Sequence, residues 1–157
     1  MEKKYILILD SLRSVHNTAS LFRTADGAGF SEIFLCGTTP TPIDRFGRKR
    51  KDFAKVALGA EDFLSWKYFE TTKDAIEKAK ERGFSVVALE QNPNSVLFED
   101  FKSQKNIALV LGEETQGIRQ STIDLCDTIL EIPMRGNKES LNVSVAGAIL
   151  MYYLTQE

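Results

Sequence analysis

Two short runs in this chain, Tyr5–Leu9 and Ile107–Leu111, are apolar at nearly every position, and that lack of alternation constrains the fold most. Successive strand side chains point to opposite faces, so a strand with one wet face alternates, and one apolar on both faces must be covered on both. Ile33–Cys36, Phe84–Leu89 and Thr128–Ile132 are further strand-like runs. Between them Asn17–Ala28, Thr72–Arg82 and a short piece near Arg119–Cys126 read as helices, and Leu141–Leu154 closes the chain as another. Thr72 is placed as an N-cap and Gly83 as a helix stop. The alternation predicts an α/β fold with a mostly parallel sheet. The length of 157 residues suits one domain, 1–157, and the balance of 43% hydrophobic to 27% charged residues argues against disorder. No repeat, linker or domain boundary interrupts it.

The closing helix carries no charge from Leu141 to Leu154, and only Asn142 and Ser144 are strongly polar. A helix apolar around its circumference needs cover on more than one side. The sheet supplies one side, and a second subunit is the favoured candidate for another, ahead of complete burial within the monomer. Cys36 and Cys126 lie far apart among apolar neighbours and read as buried free thiols, with no metal-ligand spacing and no metal expected. There is no signal-peptide pattern, and no apolar stretch reaches the roughly 18–20 residues of a membrane span, so a cytoplasmic protein is expected. The net charge of −2 counts mildly against nucleic-acid binding, although phosphate contacts need one basic surface and not a basic protein.

Familiar cofactor motifs are missing. After the first strand the chain runs Asp10-Ser11-Leu12-Arg13-Ser14-Val15, with no glycine to open a dinucleotide-type turn. Gly27-Ala28-Gly29 falls at a helix end, where glycine serves as a cap. The only histidine, His16, lacks a nucleophile-elbow partner.

The remaining polar residues gather in three places. In His16–Gly27, Asn17 can cap the helix, and the planar fork of Arg23 suits a pair of phosphate oxygens. Read alone, Arg23 and Asp26 form no more than a weak surface pair. In Ile107–Ile118 a buried strand ends in Gly112-Glu113-Glu114, where ligands of open α/β sheets bind, and Gly112 would let backbone approach a ligand. In Ile132–Ala146 a strand end and a polar loop lead into the apolar helix, which either Ser140 or Asn142 could cap.

In order and spacing these three segments resemble the motifs of the SpoU (TrmH-like) branch of the SPOUT RNA 2′-O-ribose methyltransferases. The resemblance covers essentially the full chain. Its most specific part is Ile132-Pro133-Met134 through Ser140-Leu141-Asn142-Val143-Ser144. The second segment looks like Leu-Gly-x-Glu-Gly-x-Gly, which puts the family glutamate at Glu114 and leaves Thr115 where glycine is usual. The resemblance implies an α/β fold with a C-terminal trefoil knot, a rare feature that no periodicity reveals. It also implies a homodimer, here through the C-terminal helix region, and S-adenosyl-L-methionine as cofactor. Cofactor contacts are implied at Leu89, Gly112, Ile132, Ser140 and Leu141, with Arg23, Asn17, Glu114, Ser140 and Asn142 as the catalytic set.

Family members are thought to use the first-motif arginine, here Arg23, to take the ribose proton. A guanidinium is a poor base, so a clamp on the phosphate beside the target ribose is the less demanding role. The densest basic stretch, Arg45-Phe46-Gly47-Arg48-Lys49-Arg50-Lys51, is the expected RNA contact, with Phe46 as a potential stacking ring; Arg119 and Arg135 are weaker candidates. The chain is expected to be a catalytic domain throughout, without an N-terminal RNA-binding extension. Transfer RNA is the preferred substrate and ribosomal RNA the second. A non-catalytic RNA-binding protein on the same scaffold, or a small-molecule methyltransferase, are the alternatives.

Overall fold

A computed structural model of the chain describes residues 2–103 and 105–156. Among them are seven strands: β1 (Tyr5–Asp10), β2 (Glu32–Cys36), β3 (Ser65–Phe69), β4 (Ser85–Leu89), β5 (Val96–Leu97), β6 (Ile107–Leu111) and β7 (Thr128–Glu131). They form one sheet in the order β3-β2-β1-β6-β4-β7-β5, and every pairing is parallel. The helices are α1 (Val15–Ala28), α2 (Lys51–Ala57), α3 (Ala60–Phe63), α4 (Thr72–Glu81), α5 (Gln120–Ile123) and α6 (Val143–Leu154).

All residues of β1 and β6 are buried, as their composition demands. Their side chains divide by parity. Leu7, Leu9, Leu109 and Leu111 enter one apolar layer with Leu21 and Phe22 of α1 and Leu150 and Met151 of α6. Ile6, Ile8, Ala108 and Val110 enter the other, with Ala75, Ile76 and Ala79 of α4 and Ile123 of α5. Burying each Leu or Ile side chain contributes about 1.5–3 kcal/mol, so these two layers supply the main driving force.

The helix ends differ in detail from expectation. Ser14, not Asn17, caps α1, its side chain accepting from the Asn17 N–H; that frees the Asn17 side chain for other bonds. Thr71, not Thr72, caps α4, because Thr72 turns inward and donates to the buried carboxylate of Asp10 at 2.5 Å. Gly29 closes α1 with φ of 84°, the cap expected of that glycine pair. Asn142, rather than Ser140, caps α6 by accepting from Ser144 N–H. No ion pair joins Arg23 to Asp26 among the described residues.

Four further elements lie where no strand or helix is expected from sequence, and one of them, β5, is a two-residue edge strand too short to leave a pattern. β3, Ser-Trp-Lys-Tyr-Phe, is an edge strand, half exposed and so without a continuous apolar run. α2 begins inside the basic stretch, whose charges mask its start, and α3 is a single short turn of helix. Both cysteines are free; Cys36 is buried and Cys126 half-buried, and burial pushes each thiol up to about 12.

α6 is not covered all round. Gly147, Leu150, Met151 and Leu154 face the core, whereas Val145, Ile149 and Tyr152 are exposed along one stripe. The helix packs closely on its buried side: a Cβ on Gly147 would lie 2.7 Å from Leu111 Cδ1 and 2.8 Å from Leu21 Cδ2. Gly147→Val is therefore expected to lower unfolding free energy in urea melts by about 1–3 kcal/mol through overpacking. Gly136→Ala, in open space, should leave it within about 0.5 kcal/mol.

Candidate active site

In a parallel sheet the strands all deliver their loops to the same edge, and the carboxyl ends of β4, β6 and β7 lie side by side there. Between the three loops is a solvent-open cavity of about 230 Å³. All five residues implied as cofactor contacts, Leu89, Gly112, Ile132, Ser140 and Leu141, line it. Met134, Val143 and Ala146 add apolar wall, and Glu90, Glu113, Glu114 and Glu131 add carboxylates; among the described residues no Lys or Arg lines it.

The two adjacent glutamates of the β6 loop do different things. Glu114 reaches across to the β1–α1 turn, where its carboxylate accepts from Ser14 N–H at 3.3 Å, Arg13 N–H at 3.4 Å and Asn17 Nδ2 at 3.3 Å. Asn17 Oδ1 in turn accepts from Asn142 Nδ2 at 3.3 Å. One polar chain thus joins the first, second and third segments across separations of 97 and 125 residues. Glu113 folds back on its own loop, accepting from Thr115 Oγ1 at 2.8 Å and Gln116 N–H at 2.7 Å. Those donors, the Thr115 hydroxyl foremost, hold its carboxyl below the usual carboxylate range. Thr115 keeps a negative φ, so the turn forms without glycine at that position.

Gly112 has a packing role of its own. A Cβ there would lie 2.5 Å from Ile118 Cγ1 and 2.7 Å from the Gly117 carbonyl carbon, so it is the returning loop that approaches it. Gly117, with φ of 68°, sits against Glu90, whose carboxylate accepts from Ile118 N–H at 2.8 Å. The next residue, Gln91, donates from Nε2 to the Glu139 carbonyl at 2.6 Å. Glu90 and Gln91 therefore brace the second and third loops from the end of β4. Sequence reasoning missed both; the only available signal was their place at the carboxyl end of a buried strand.

Arg23 lies exposed on α1, outside the cavity lining. Ser140 is exposed at the cavity mouth. The basic stretch is a built hairpin. Asp44 Oδ1 accepts from the N–H groups of Phe46 and Arg48, Ile43 bridges to Lys49, and Gly47 takes φ of 77°. Much of its charge is already paired: Arg48 with Asp44 at 3.1 Å, Lys49 with Asp62 at 3.1 Å and Arg50 with Asp52 at 2.9 Å. Arg45 and Lys51 have no ion-pair partner among the described residues. The Arg45 and Arg48 guanidinium carbons stand 4.9 and 5.0 Å from the Phe46 ring centroid, and that ring is 67% exposed.

Glu90→Ala should loosen the second loop. Amide exchange at Gly117 and Ile118 is expected to speed up while β1 and β6 stay protected; unchanged exchange at both would remove the brace from the account.

The SpoU rRNA Methylase family model matches residues 4–152. The 23S rRNA (guanosine-2′-O-)-methyltransferase RlmB of Ralstonia nicotianae is 34% identical over 148 residues, which span 94% of this chain and 56% of that protein. The AdoMet-bound rRNA methyltransferase of Sinorhizobium meliloti superposes with a TM-score of 0.87 at 26% identity, over 98% of this chain and 56% of that one. The A. aeolicus TrmH/SpoU tRNA modifying enzyme gives 0.83 at 26% identity, over 99% and 75%. The chain spans a little over half the length of the curated relatives it matches. With nearly its whole length inside the family model, and its three polar segments joined around one cavity, the chain belongs to the SpoU methylase family.

Proposed function

We propose that this chain transfers a methyl group from S-adenosyl-L-methionine to a ribose 2′-hydroxyl of RNA, with transfer RNA the preferred substrate and ribosomal RNA the second. The observation that carries this reading is the Glu114–Asn17–Asn142 chain of hydrogen bonds, which meets the cavity at Glu114. It sets carboxylate and amide groups, able to orient a hydroxyl, beside a space suited to the cofactor. Leu89, Ile132, Met134 and Leu141 offer apolar walls for an adenine ring, and the carboxylates favour a cationic ligand over an anionic one. The names of RlmB and of the A. aeolicus enzyme, which act on ribosomal and transfer RNA, support the substrate class.

When bound, the cofactor supplies a methyl group already activated by its sulfonium. The chain's own residues then have positioning and proton management left to do. Glu114, fixed by the backbone N–H groups of Arg13 and Ser14, orients Asn17, and Asn17 orients Asn142. Ser140 stands at the mouth where the ribose must enter. Arg23, exposed and unpaired by any acid among the described residues, is free to clamp the phosphate beside that ribose, a role that asks less of a guanidinium than removing the proton.

The C-terminal knot belongs to the same reading. Its support is that β7 lies beside β4 and that Gln91 ties the 132–142 segment to the stretch following β4. A homodimer belongs to it as well, supported by the stripe of Val145, Ile149 and Tyr152 left open on α6. A cytoplasmic place belongs to the same reading, supported by two free cysteines.

Incubation with methyl-labelled S-adenosylmethionine and total RNA should place label on a ribose 2′-oxygen, read by nuclease mapping. Arg23→Ala is expected to reduce transfer at least about 100-fold, with cofactor affinity unchanged. Transfer near the wild-type rate would refute the role of Arg23. Cofactor binding without transfer to any RNA would point instead to a non-catalytic RNA-binding protein. Sedimentation should give twice the chain mass, and Ile149→Arg should return the monomer; a wild-type monomer at micromolar concentration would remove the dimer.

A further inference from the structure

We infer that the Asp44–Arg50 hairpin is a stacking platform for one unpaired nucleobase, with Phe46 as the surface and Arg45 and Lys51 as the phosphate contacts. The inference rests on the reading of RNA as substrate and adds which part of the RNA is held, and how.

The argument begins with cost. An exposed phenylalanine at the tip of a polar hairpin gains almost nothing by burial in this chain, since 67% of it remains in water. The turn nevertheless presents it rigidly: one carboxylate oxygen of Asp44 accepts from Phe46 N–H at 2.8 Å and from Arg48 N–H at 3.0 Å. Arg50 N–H closes the base of the hairpin on the Pro42 carbonyl at 2.9 Å. A flat apolar ring fixed in place is what a base needs, because every base offers a π-face and stacking demands no particular sequence.

The charges around the ring are graded. Arg48, Lys49 and Arg50 already have carboxylate partners, whereas Arg45 and Lys51 have none among the described residues. Arg45 lies over the ring without being neutralised, so it can pass to the phosphate of a stacked nucleotide. A duplex would satisfy the basic side chains equally well but hides its base faces, so the ring has no use for one.

The hairpin and the cavity both follow strands that end at the same edge of the sheet. Thr39 Oγ1 accepts from Leu12 N–H at 3.0 Å and lies 3.1 Å from the Leu9 carbonyl, tying the strand leading to the hairpin to the β1–α1 turn. The same turn holds Glu114. Only β1 stands between β2 and β6, so the two loops leave one sheet edge about 10 Å apart.

The test uses the full chain and a short unpaired RNA carrying one 2-aminopurine, with anisotropy for affinity and fluorescence quenching for stacking. Phe46→Ala is expected to weaken binding about tenfold and abolish the quench with the salt slope unchanged, while Phe46→Trp keeps both. Arg45→Gln with Lys51→Gln should lower the salt slope by about 1.4 and keep the quench at saturation. Phe46 is exposed, so a thermal melt of Phe46→Ala should match wild type. Wild-type affinity and quench in Phe46→Ala overturn the platform. If the double Gln variant then still lowers the slope, the hairpin binds phosphate alone; if it too is silent, RNA contact by this hairpin fails with the platform.

Discussion

Strands β1 and β6 are apolar on both faces, and covering them fixes the positions of nearly everything else. One face takes α1 and α6, the other α4 and α5, and Gly147 of α6 sits tightly against Leu111 and Leu21. That fit has a consequence for the site. With α6 pressed beside α1, the two helices begin near one another at the carboxyl edge of the sheet. Asn142, which caps α6, then meets Asn17 in the first turn of α1. The polar joint is thus a product of apolar packing.

Once the strand ends are fixed, the loops are held by side chains that bond to backbone. Glu90 grips Ile118, Gln91 grips Glu139, Glu113 grips Gln116 and Glu114 grips the β1–α1 turn. Each such bond satisfies a group that a loop would otherwise leave to water, and each contributes about 0.5–1.5 kcal/mol net, more where the acceptor is charged. Four of them on one cavity give it a defined shape without regular secondary structure. They also set its charge. Carboxylates line the cavity and cations stand outside it, on α1 and the Asp44–Arg50 hairpin. A chain of net charge −2 can therefore favour a cationic small molecule in one place and a polyanion in another.

The strands legible in the sequence were those apolar throughout, and they came out within a residue or so of their expected bounds. β3 escaped because an edge strand is half wet and breaks the pattern, and α2 because its first turn is charged. The caps moved by a few residues for a common reason: several Ser, Thr and Asn side chains in a row can each accept the same N–H. Which one does so depends on what else the others can reach. Thr72 reaches Asp10, and Asn17 reaches Glu114.

The α/β class, the parallel sheet and three polar segments, two of which line one cavity while the first bonds to Glu114 at its edge, are legible in the order of residues, because apolar pattern and residue chemistry are local properties. Tertiary structure alone decided the rest. Ile118 crowds Gly112, and Glu90 and Gln91 join the site as braces. It also left Arg23 on the surface of α1 and paired most of the basic hairpin with acids, singling out Arg45 and Lys51. The third segment reads in sequence as a capped helix behind a polar loop. It becomes one wall of a site only through contacts made across more than a hundred residues, and no local pattern carries such contacts.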